Sequence, residues 1–477
     1  MAILDTFSVP EEAVRNKDFS VRVRTDDKEW KEIGVYEVKV DMHNVRKASM
    51  VHFDMDEFID VEITCNYMDV EDIIIRPLSN KISYKQHQNV INMKLDQPCK
   101  LSVEVNGDRF HNLHVFANPI EKDKPDVMNG NVAVIESGNH LPENITRIAT
   151  QPNSNGVIPD ILYFDAGYHC IKGSEFRIPS HKTIYLDGGS VIEGSFLCDH
   201  AEDVTIRGRG IMYMANMEKT TYYRGVQIEF SRNITVDGIV VVDPPHYSIL
   251  IGQSSDIKIN NFKSFSTRGW SDGIDMMSSK DVSIHDVFMR NSDDCIAVYG
   301  SRGNFYGDTK NIQVNNSILW ADVAHPVNMG THGDHEGTGD TIENIHFKNI
   351  DILEHHEPQE NYWGAMAINA GDMNVVKNVT FYNVRVENFE LGQLLDLRVV
   401  FNKKYNPAPG KRIENIIFKN IEYNGENEKP SRIYGYDADR NVSDVIFSNL
   451  RINGIKVLNA DEQHFDINEY AHCIKFV

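Results

Sequence analysis

A short strand-like template, repeated along most of the chain, is the feature that most constrains the fold. Each copy has Asn or Asp, an aliphatic residue, any residue, an aliphatic residue or Phe, any residue, and then Asn, Asp or Gly. The copies recur at intervals of about 23 to 37 residues, a spacing typical of solenoid proteins. One short strand per repeat cannot bury its own face, so neighbouring repeats must stack. Nine copies begin at Asp203, Asn233, Asp256, Asp281, Asn311, Asn344, Asn378, Asn415 and Asp444.

The template favours a right-handed parallel β-helix with loops of variable length. A helical solenoid would show a period of about 3.6, and a leucine-rich repeat would show its leucine lattice. A propeller would need four strands in about 40–45 residues and a steadier period. An array of β-sandwiches with accidental similarity is the alternative that stays open. The sequence therefore predicts an all-β chain with a large solenoid domain.

The stretch before the solenoid has a different pattern. Runs with period-two alternation occur at 19–24, 34–40, 58–64 and 100–105, separated by Asn, Asp and Gly, and they predict an antiparallel β-sandwich. We therefore expect a sandwich at 1–120, a linker and the start of the solenoid at 121–156, and the β-helix domain at 157–477. The sandwich is expected to cap the exposed end of the solenoid or to act as a binding module.

Composition excludes several classes of partner. The formal net charge of −22 makes bulk attraction to nucleic acids or anionic membranes unfavourable. The mean hydropathy of −0.39 argues against membrane spans. The six cysteines are scattered without a CxxC motif, so we expect neither a metal nor another cofactor. No signal peptide is visible, which predicts a cytoplasmic protein, or a secreted one if a signal has been lost. A homo-oligomer stays possible.

Three carboxylates carry the strongest chemical signal. Asp272 lies about one repeat before the pair Asp293 and Asp294, and adjacent coils place equivalent positions about 4.8 Å apart. Clustered carboxylates can keep one member protonated near neutrality, as acid–base cleavage of an acetal requires. Trp270 and Tyr299 lie close in sequence and would suit a sugar-binding cleft, because aromatic faces stack on the apolar faces of sugar rings.

Two other interpretations of these acidic residues stay open. Three carboxylates also suit calcium or magnesium, although we predict no metal. An Asp-Asp pair in an acidic protein is also commonly a solvated turn. We expect the neighbouring Asp275 to support the coil structurally.

The segment Ser271-Asp-Gly-Ile-Asp275, followed by Ser292-Asp-Asp-Cys-Ile-Ala-Val298, resembles the active-site signature of a known group of enzymes. These are the polygalacturonases and rhamnogalacturonases, with the related dextranase and isopullulanase family. The resemblance implies an inverting glycoside hydrolase on a right-handed parallel β-helix, without a cofactor. It also implies that Asp293 is the general acid, and that Asp272 and Asp294 hold and deprotonate the attacking water.

The next coil carries Ala324-His325-Pro-Val-Asn328, which is similar in position to the Gly-His-Gly segment of the polygalacturonases. The resemblance implies that His325 lies beside the acids and that Asn328 belongs to the substrate site. Neither flanking glycine is present, and a structural histidine at a coil corner is the alternative. The following stretch, 331–337, is rich in His, Asp and Glu, but lacks regular zinc-ligand spacing, so we expect a loop at the rim of the cleft.

The largest departure from the polygalacturonases concerns the substrate. Their Arg-Ile-Lys strand corresponds here to a coil with no Arg or Lys. In this coil Trp363 and Asn369 would suit a neutral sugar, through stacking and through hydrogen bonds to hydroxyl groups. Arg398, one coil further on, is the nearest basic candidate for the substrate site. The sequence therefore favours a neutral α-glucan, as in the dextranases. A pectic substrate, a non-catalytic carbohydrate-binding β-helix and a polysaccharide lyase are the alternatives.

Overall fold

The computed structural model describes residues 2–25, 28–426, 428–461 and 463–477. It contains a β-sandwich that ends at Pro119 and a parallel β-helix whose first strand begins at Val132, which confirms the predicted fold class. That first strand lies within the segment 121–156, which the sequence assigns to a linker and the start of the solenoid. Within the described residues, no helix is long and apolar enough to cross a lipid bilayer.

The sandwich consists of two sheets that enclose an apolar core. One sheet has the order β1-β5-β11-β10-β7, with β4 beside β5, and the other has the order β3-β2-β6-β9-β8. All pairs are antiparallel except β5 with β11. Its strands are β1 (Leu4–Thr6), β2 (Phe19–Thr25), β3 (Lys31–Ile33), β4 (Tyr36–Val40), β5 (Arg46–Met55), β6 (Ile59–Cys65), β7 (Ile73–Arg76), β8 (Tyr84–His87), β9 (Val90–Leu95), β10 (Cys99–Val105) and β11 (Asp108–Pro119).

The solenoid contains the remaining strands and one α-helix, α1 (Pro142–Thr150). Two short 3₁₀ segments lie at Leu78–Asn80 and Lys219–Thr221. The first half of the solenoid contains β12 (Val132–Ile135), β13 (Gly138–His140), β14 (Ile161–Phe164), β15 (Gly167–Arg177), β16 (Thr183–Leu186), β17 (Ser190–Asp199), β18 (Glu202–Gly208), β19 (Ile211–Tyr213), β20 (Val226–Glu229), β21 (Arg232–Asp237), β22 (Val240–Val242), β23 (Ile249–Gly252), β24 (Ser255–Asn260), β25 (Lys263–Phe265), β26 (Ile274–Met277) and β27 (Lys280–His285). The second half contains β28 (Phe288–Asn291), β29 (Ile296–Tyr299), β30 (Thr309–Ala321), β31 (Val327–Met329), β32 (Thr341–His355), β33 (Met366–Ala370), β34 (Val375–Val386), β35 (Gly392–Gln393), β36 (Leu395–Val399), β37 (Arg412–Tyr423), β38 (Glu428–Lys429), β39 (Ser431–Tyr434), β40 (Val442–Ile452), β41 (Ile455–Lys456), β42 (Phe465–Ile467) and β43 (Ala471–Phe476).

Successive coils stack their strands into three long parallel sheets. The template sheet contains the repeated motif and includes β18, β21, β24 and β27. The domain-facing sheet includes β19, β22, β25 and β28. The cleft sheet contains β20, β23, β26, β29, β31, β33, β36, β39 and β42. Helix α1 takes the place of a third strand in the first coil, and its Ile145 and Ala149 join the solenoid core.

The template residues shape the corners of the coils. The first position of each copy has a positive φ, for example +59° at Asn311 and +60° at Asn344. Asn and Asp tolerate this left-handed conformation better than other residues with a Cβ. The Asn344 amide also donates to Asn311 at 3.2 Å, and Asn378 donates to Asn344 at 3.3 Å, so the corners form a ladder. The repeat therefore fixes both the turn and the stacking.

The sandwich packs along the side of the solenoid. An apolar cluster joins its inner strands to the domain-facing sheet, with Phe116 of the sandwich against Phe288 at 5.1 Å. A buried ion pair crosses the same region, because Arg290 contacts Asp322 at 3.0 Å and donates to Asn112 of the sandwich at 2.9 Å. The expectation that the sandwich caps the solenoid end is therefore wrong. The apolar outer residues of the domain-facing sheet require a partner along their length.

Candidate active site

The cleft sheet brings the predicted acids onto neighbouring coils. Ile274 pairs with Ile296, and the same register continues to the strand after His325. Asp272, Asp294 and His325 each lie two residues before these paired positions, so they occupy equivalent places on three successive coils. The Gly273 N–H donates to the Asp294 carbonyl at 2.9 Å, and the Cys295 N–H donates to the His325 carbonyl at 2.8 Å.

The strand register distinguishes the two members of the acidic pair. It places Asp272 level with Asp294, and Asp293 precedes this position. The three carboxylates nevertheless lie together, since one oxygen from each is within 4.8 Å of the others. A Cβ at Gly273 would collide with the Cys295 carbonyl oxygen, so the glycine of the motif allows this close approach.

Asp294 is buried and richly hydrogen-bonded. The Nδ1 of His325 lies 2.7 Å from its Oδ1, and the backbone N–H of His325 donates to the same oxygen at 3.2 Å. Asn328 donates to its Oδ2 at 2.8 Å, and the Tyr299 hydroxyl donates to Oδ2 at 3.3 Å. Burial alone would raise the pKa of Asp294, but the charge and hydrogen bonds of His325 and the bond from Asn328 lower it. Asp294 is therefore ionised at neutral pH.

Asp293 has the opposite electrostatic setting. It is the least buried of the three, and it accepts hydrogen bonds from the backbone N–H groups of Trp270 at 3.0 Å and Asp294 at 3.1 Å. Burial and the adjacent charge of Asp294 raise the pKa of Asp293 to about 7, although these hydrogen bonds oppose the shift. Two adjacent carboxyl groups thus differ in protonation near neutrality.

A fourth carboxyl group, that of Asp275, belongs to the same cluster as Asp272, Asp293 and Asp294. Burial, followed by the neighbouring carboxylates, raises the pKa of Asp272 well above its usual range. Burial also raises the pKa of Asp275, and the charge of Arg302 opposes that shift at a distance of 3.8 Å. A side-chain hydrogen bond with Asp272 also opposes the shift. The sequence assigned Asp275 a structural role and did not single out Arg302, because the loop that places Arg302 has no repeat pattern.

The two predicted aromatic residues have different positions. Trp270 is 56% exposed, and its ring lies 6.4 Å from the exposed Tyr222 ring. The ammonium of Lys219 lies 5.3 Å from the centre of the Trp270 ring and covers part of it. Tyr299 is only 3% exposed. The prediction that Tyr299 offers a stacking face is therefore wrong, because burial leaves only its hydroxyl free to act, as a donor to Asp294.

Trp363 lies two coils beyond the acids and is already partnered. Its Nε1 donates to the carbonyl of Glu357 at 2.9 Å. The ammonium of Lys429 lies 3.9 Å from its ring centre, and the guanidinium of Arg432 lies 5.3 Å away. These cation–π contacts cover part of the ring that the sequence assigned to a sugar.

Asn369 and Arg398 line a cavity of about 570 Å³ beside the cluster. Asn369 is 3% exposed, and neither amide atom has a partner among the described residues. Arg398 donates to Asp396 at 2.8 Å and to a backbone carbonyl at 2.7 Å. The wall includes Tyr362 and Tyr405, whose rings stack at 5.1 Å. Sequence reasoning missed these tyrosines, because they come from loops outside the template.

The acidic and histidine-rich loop lines a second cavity, of about 340 Å³. It contains His332, Asp334 and His335, and His332 packs edge-on against Tyr299 at 5.0 Å. Among the described residues, Asp272, Asp293 and Asp294 are the only group of three or more ligands close enough to share one metal ion. The loop residues do not form such a group.

The fold is thus a parallel β-helix with three carboxyl groups close together on neighbouring coils. Residues 202–464 match the family model of Glycosyl hydrolases family 28. The chain belongs to that family, which confirms the resemblance seen in the sequence. The probable exopolygalacturonase B of Aspergillus niger is 28% identical over 216 residues, which are 42% of this chain and 46% of that protein. The chain thus matches about half the length of such curated relatives.

Two solved structures have a similar fold. Dex49A from Penicillium minioluteum has a TM-score of 0.62 at 15% identity, covering 98% of this chain and 96% of that one. The family 28 exopolygalacturonase of Yersinia enterocolitica has a TM-score of 0.52 at 11% identity, covering 88% and 97%. At these identities the likeness concerns the fold alone.

Proposed function

We propose that this protein is an inverting glycoside hydrolase that cleaves α-glycosidic bonds at the carboxylate cluster. The observation that carries the proposal is that the pKa values of two adjacent carboxyl groups are shifted in opposite directions. The pKa of Asp293 is raised to about 7, whereas that of Asp294 is lowered. Hydrolysis of an acetal needs one protonated and one ionised carboxyl group, and this pair supplies both near neutrality.

In the proposed reaction, Asp293 donates its proton to the glycosidic oxygen as the bond to the anomeric carbon breaks. Asp294 accepts a proton from the water that attacks this carbon. Asp272, level with Asp294 on the preceding coil, would orient the same water. The raised pKa of Asp272 makes Asp294 the principal base. His325 and Asn328 keep that base ionised through their hydrogen bonds.

For the substrate, the first candidate is a neutral α-glucan. Asn369 offers to the cavity a buried amide that has no hydrogen-bond partner among the described residues, and amide groups suit sugar hydroxyls. The strand that carries Asn369, residues 366–370, contains no Lys or Arg.

A specific observation favours a second candidate, an acidic pectic glycan. Arg398 and Arg432 both contact the single carboxylate of Asp396, at 2.7 and 3.2 Å, and within the described part of the chain neither forms a salt bridge with a second carboxylate, so one positive charge is left over beside the cavity. This charge could bind a uronate carboxylate. Replacing Arg398 with Gln separates the candidates: it should raise KM about tenfold or more for galacturonate oligomers and leave KM for neutral oligomers within about twofold.

The test of the proposed function is a screen of reducing-sugar release from dextran, pullulan, polygalacturonate and short α-linked oligosaccharides. Asp293→Asn should lower kcat on the cleaved substrate by about 10²–10⁴-fold. Asp256→Asn is the matched control, because Asp256 occupies a template corner where other coils carry Asn. Activity of Asp293→Asn within a few-fold of wild type would refute the assignment. Binding to these glycans without turnover would instead indicate a carbohydrate-binding protein.

A further inference from the structure

The residue before His325 has an unusual backbone conformation. Ala324 is buried and has a φ of +64°, in the left-handed region that glycine occupies freely and alanine does not. This turn directs the backbone N–H and the ring Nδ1 of His325 toward the same oxygen of Asp294. A change in the turn would therefore move both donors at once.

A second histidine, on the following coil, contacts this turn. The Nδ1 of His355 lies 2.8 Å from the carbonyl oxygen of Ala324, and its Nε2 lies 3.0 Å from the N–H of Gly364. These contacts fix its tautomer, since Nδ1 must donate and Nε2 must accept. Burial lowers the pKa of His355 to about 3, so the ring is neutral near pH 7.

The fold holds this ring tightly. A Cβ at Gly392 would collide with Cδ2 and Nε2 of His355, and the backbone of Gly392 is not left-handed. The glycine therefore provides space for the imidazole. The ring also stacks against His325 at 6.0 Å and meets Phe389 edge-on at 5.5 Å. Its position is thus determined by several neighbours.

We propose that His355 is a positioning residue of the active site. Its hydrogen bond to Ala324 stabilises the left-handed turn and thereby directs both donors of His325 at Asp294. A glycine at position 324 would adopt the turn without support, whereas alanine requires it, so Ala324 and His355 act as a pair. The role in catalysis rests on the proposed function, in which Asp294 is the base.

The test is a double-mutant cycle of His355→Ala and Ala324→Gly. We expect His355→Ala to lower kcat about 10²-fold with KM within about threefold, because a misdirected base affects the chemical step. Ala324→Gly alone should stay within about threefold of wild type, and the double variant should be about tenfold faster than His355→Ala. Equal activity of the double variant and His355→Ala would overturn the proposal.

Two further variants complete the cycle. His346→Ala is the control, because His346 is exposed on the template sheet. It should leave kcat within about twofold of wild type. If His355→Ala fails to fold, His355→Asn retains a side-chain donor toward Ala324 and should keep most of the activity. A loss in His355→Asn as large as about 10²-fold would contradict the role of that donor.

A second measurement does not depend on turnover. Burial would lower the pKa of His325, but the charge and hydrogen bond of Asp294 raise it, with smaller contributions from Glu357 and Asp396. In ¹⁵N-histidine-labelled protein, His355→Ala should move the His325 titration downward, and Ala324→Gly should restore it. An unchanged titration in His355→Ala would overturn the positioning role. The expected shift without hydrolysis of any glycan would overturn only the proposed function.

Discussion

Removing the ring of His325 should change how activity depends on pH. The proposed reaction requires Asp294 to be ionised and Asp293 to be protonated, so we expect wild-type activity to fall below the pKa of Asp294 and above about pH 7. His325→Ala removes the 2.7 Å bond to Asp294 and leaves the bond from Asn328. The pKa of Asp294 should therefore rise toward its ordinary value, and the acid limb of the profile should move to higher pH.

The size of the shift follows from the lost interaction. A hydrogen bond to a charged group contributes about 1.5–3 kcal/mol, and one pH unit corresponds to about 1.4 kcal/mol. We therefore expect the acid limb to move upward by about one to two units. The basic limb should move in the same direction, because the charge of His325 also lowers the pKa of Asp293. The ratio of wild-type to variant activity should then increase as the pH falls.

The assay is the pH profile of kcat/KM on the glycan that the wild type cleaves, for wild type, His325→Ala and His346→Ala. His346 is exposed on the template sheet and serves as the control. Parallel profiles for wild type and His325→Ala, differing only in height, would refute the reasoning. So would a downward shift of the acid limb, since it would mean that His325 does not stabilise the ionised form of Asp294.

Two further predictions concern the supporting structure. Arg290→Met should lower the free energy of unfolding, measured in urea, by about 3–5 kcal/mol, because it leaves Asp322 buried without its ion-pair partner. The double variant Arg290→Met/Asp322→Leu should recover most of this loss. A loss below about 1 kcal/mol for the single variant would contradict the prediction. Gly392→Ala should displace His355 and lower kcat by about tenfold or more. Gly130→Ala is the control, because a Cβ there meets only Asn155 at 3.8 Å, and it should keep kcat within about twofold of wild type. Equal kcat values for the two variants would show that the space at Gly392 is not needed.

The solenoid was predictable because its repeat acts locally and many times. Asn311, Asn344 and Asn378 each mark a corner, and the corner conformation is a property of the residue itself. The arrangement of the sandwich was not predictable in this way. Its contact with the side of the solenoid depends on outward-facing residues such as Phe288 and Arg290, and a sequence pattern does not say which partner covers them.

The carboxylates of the site were predictable because a short motif and the coil spacing both point to them. The protonation states of Asp293 and Asp294 were not, since they depend on donors from other coils, such as His325 and Asn328. The supporting His355 acts through the backbone of Ala324. Its positioning role is therefore visible only from the backbone conformation of Ala324 and not from a sequence motif.

The anomeric configuration of the first product distinguishes an inverting hydrolase from a retaining one. The nearest oxygens of the three acids lie within 4.8 Å, while carboxyl groups are about 5–5.5 Å apart in typical retaining enzymes and about 6.5–9.5 Å apart in typical inverting ones. We nevertheless expect inversion, because in the proposed reaction Asp272 and Asp294 act together on a water molecule and neither attacks the sugar. Time-resolved ¹H NMR of the cleavage of an α-linked substrate should show the β-anomer first. Initial release of the α-anomer would contradict the account.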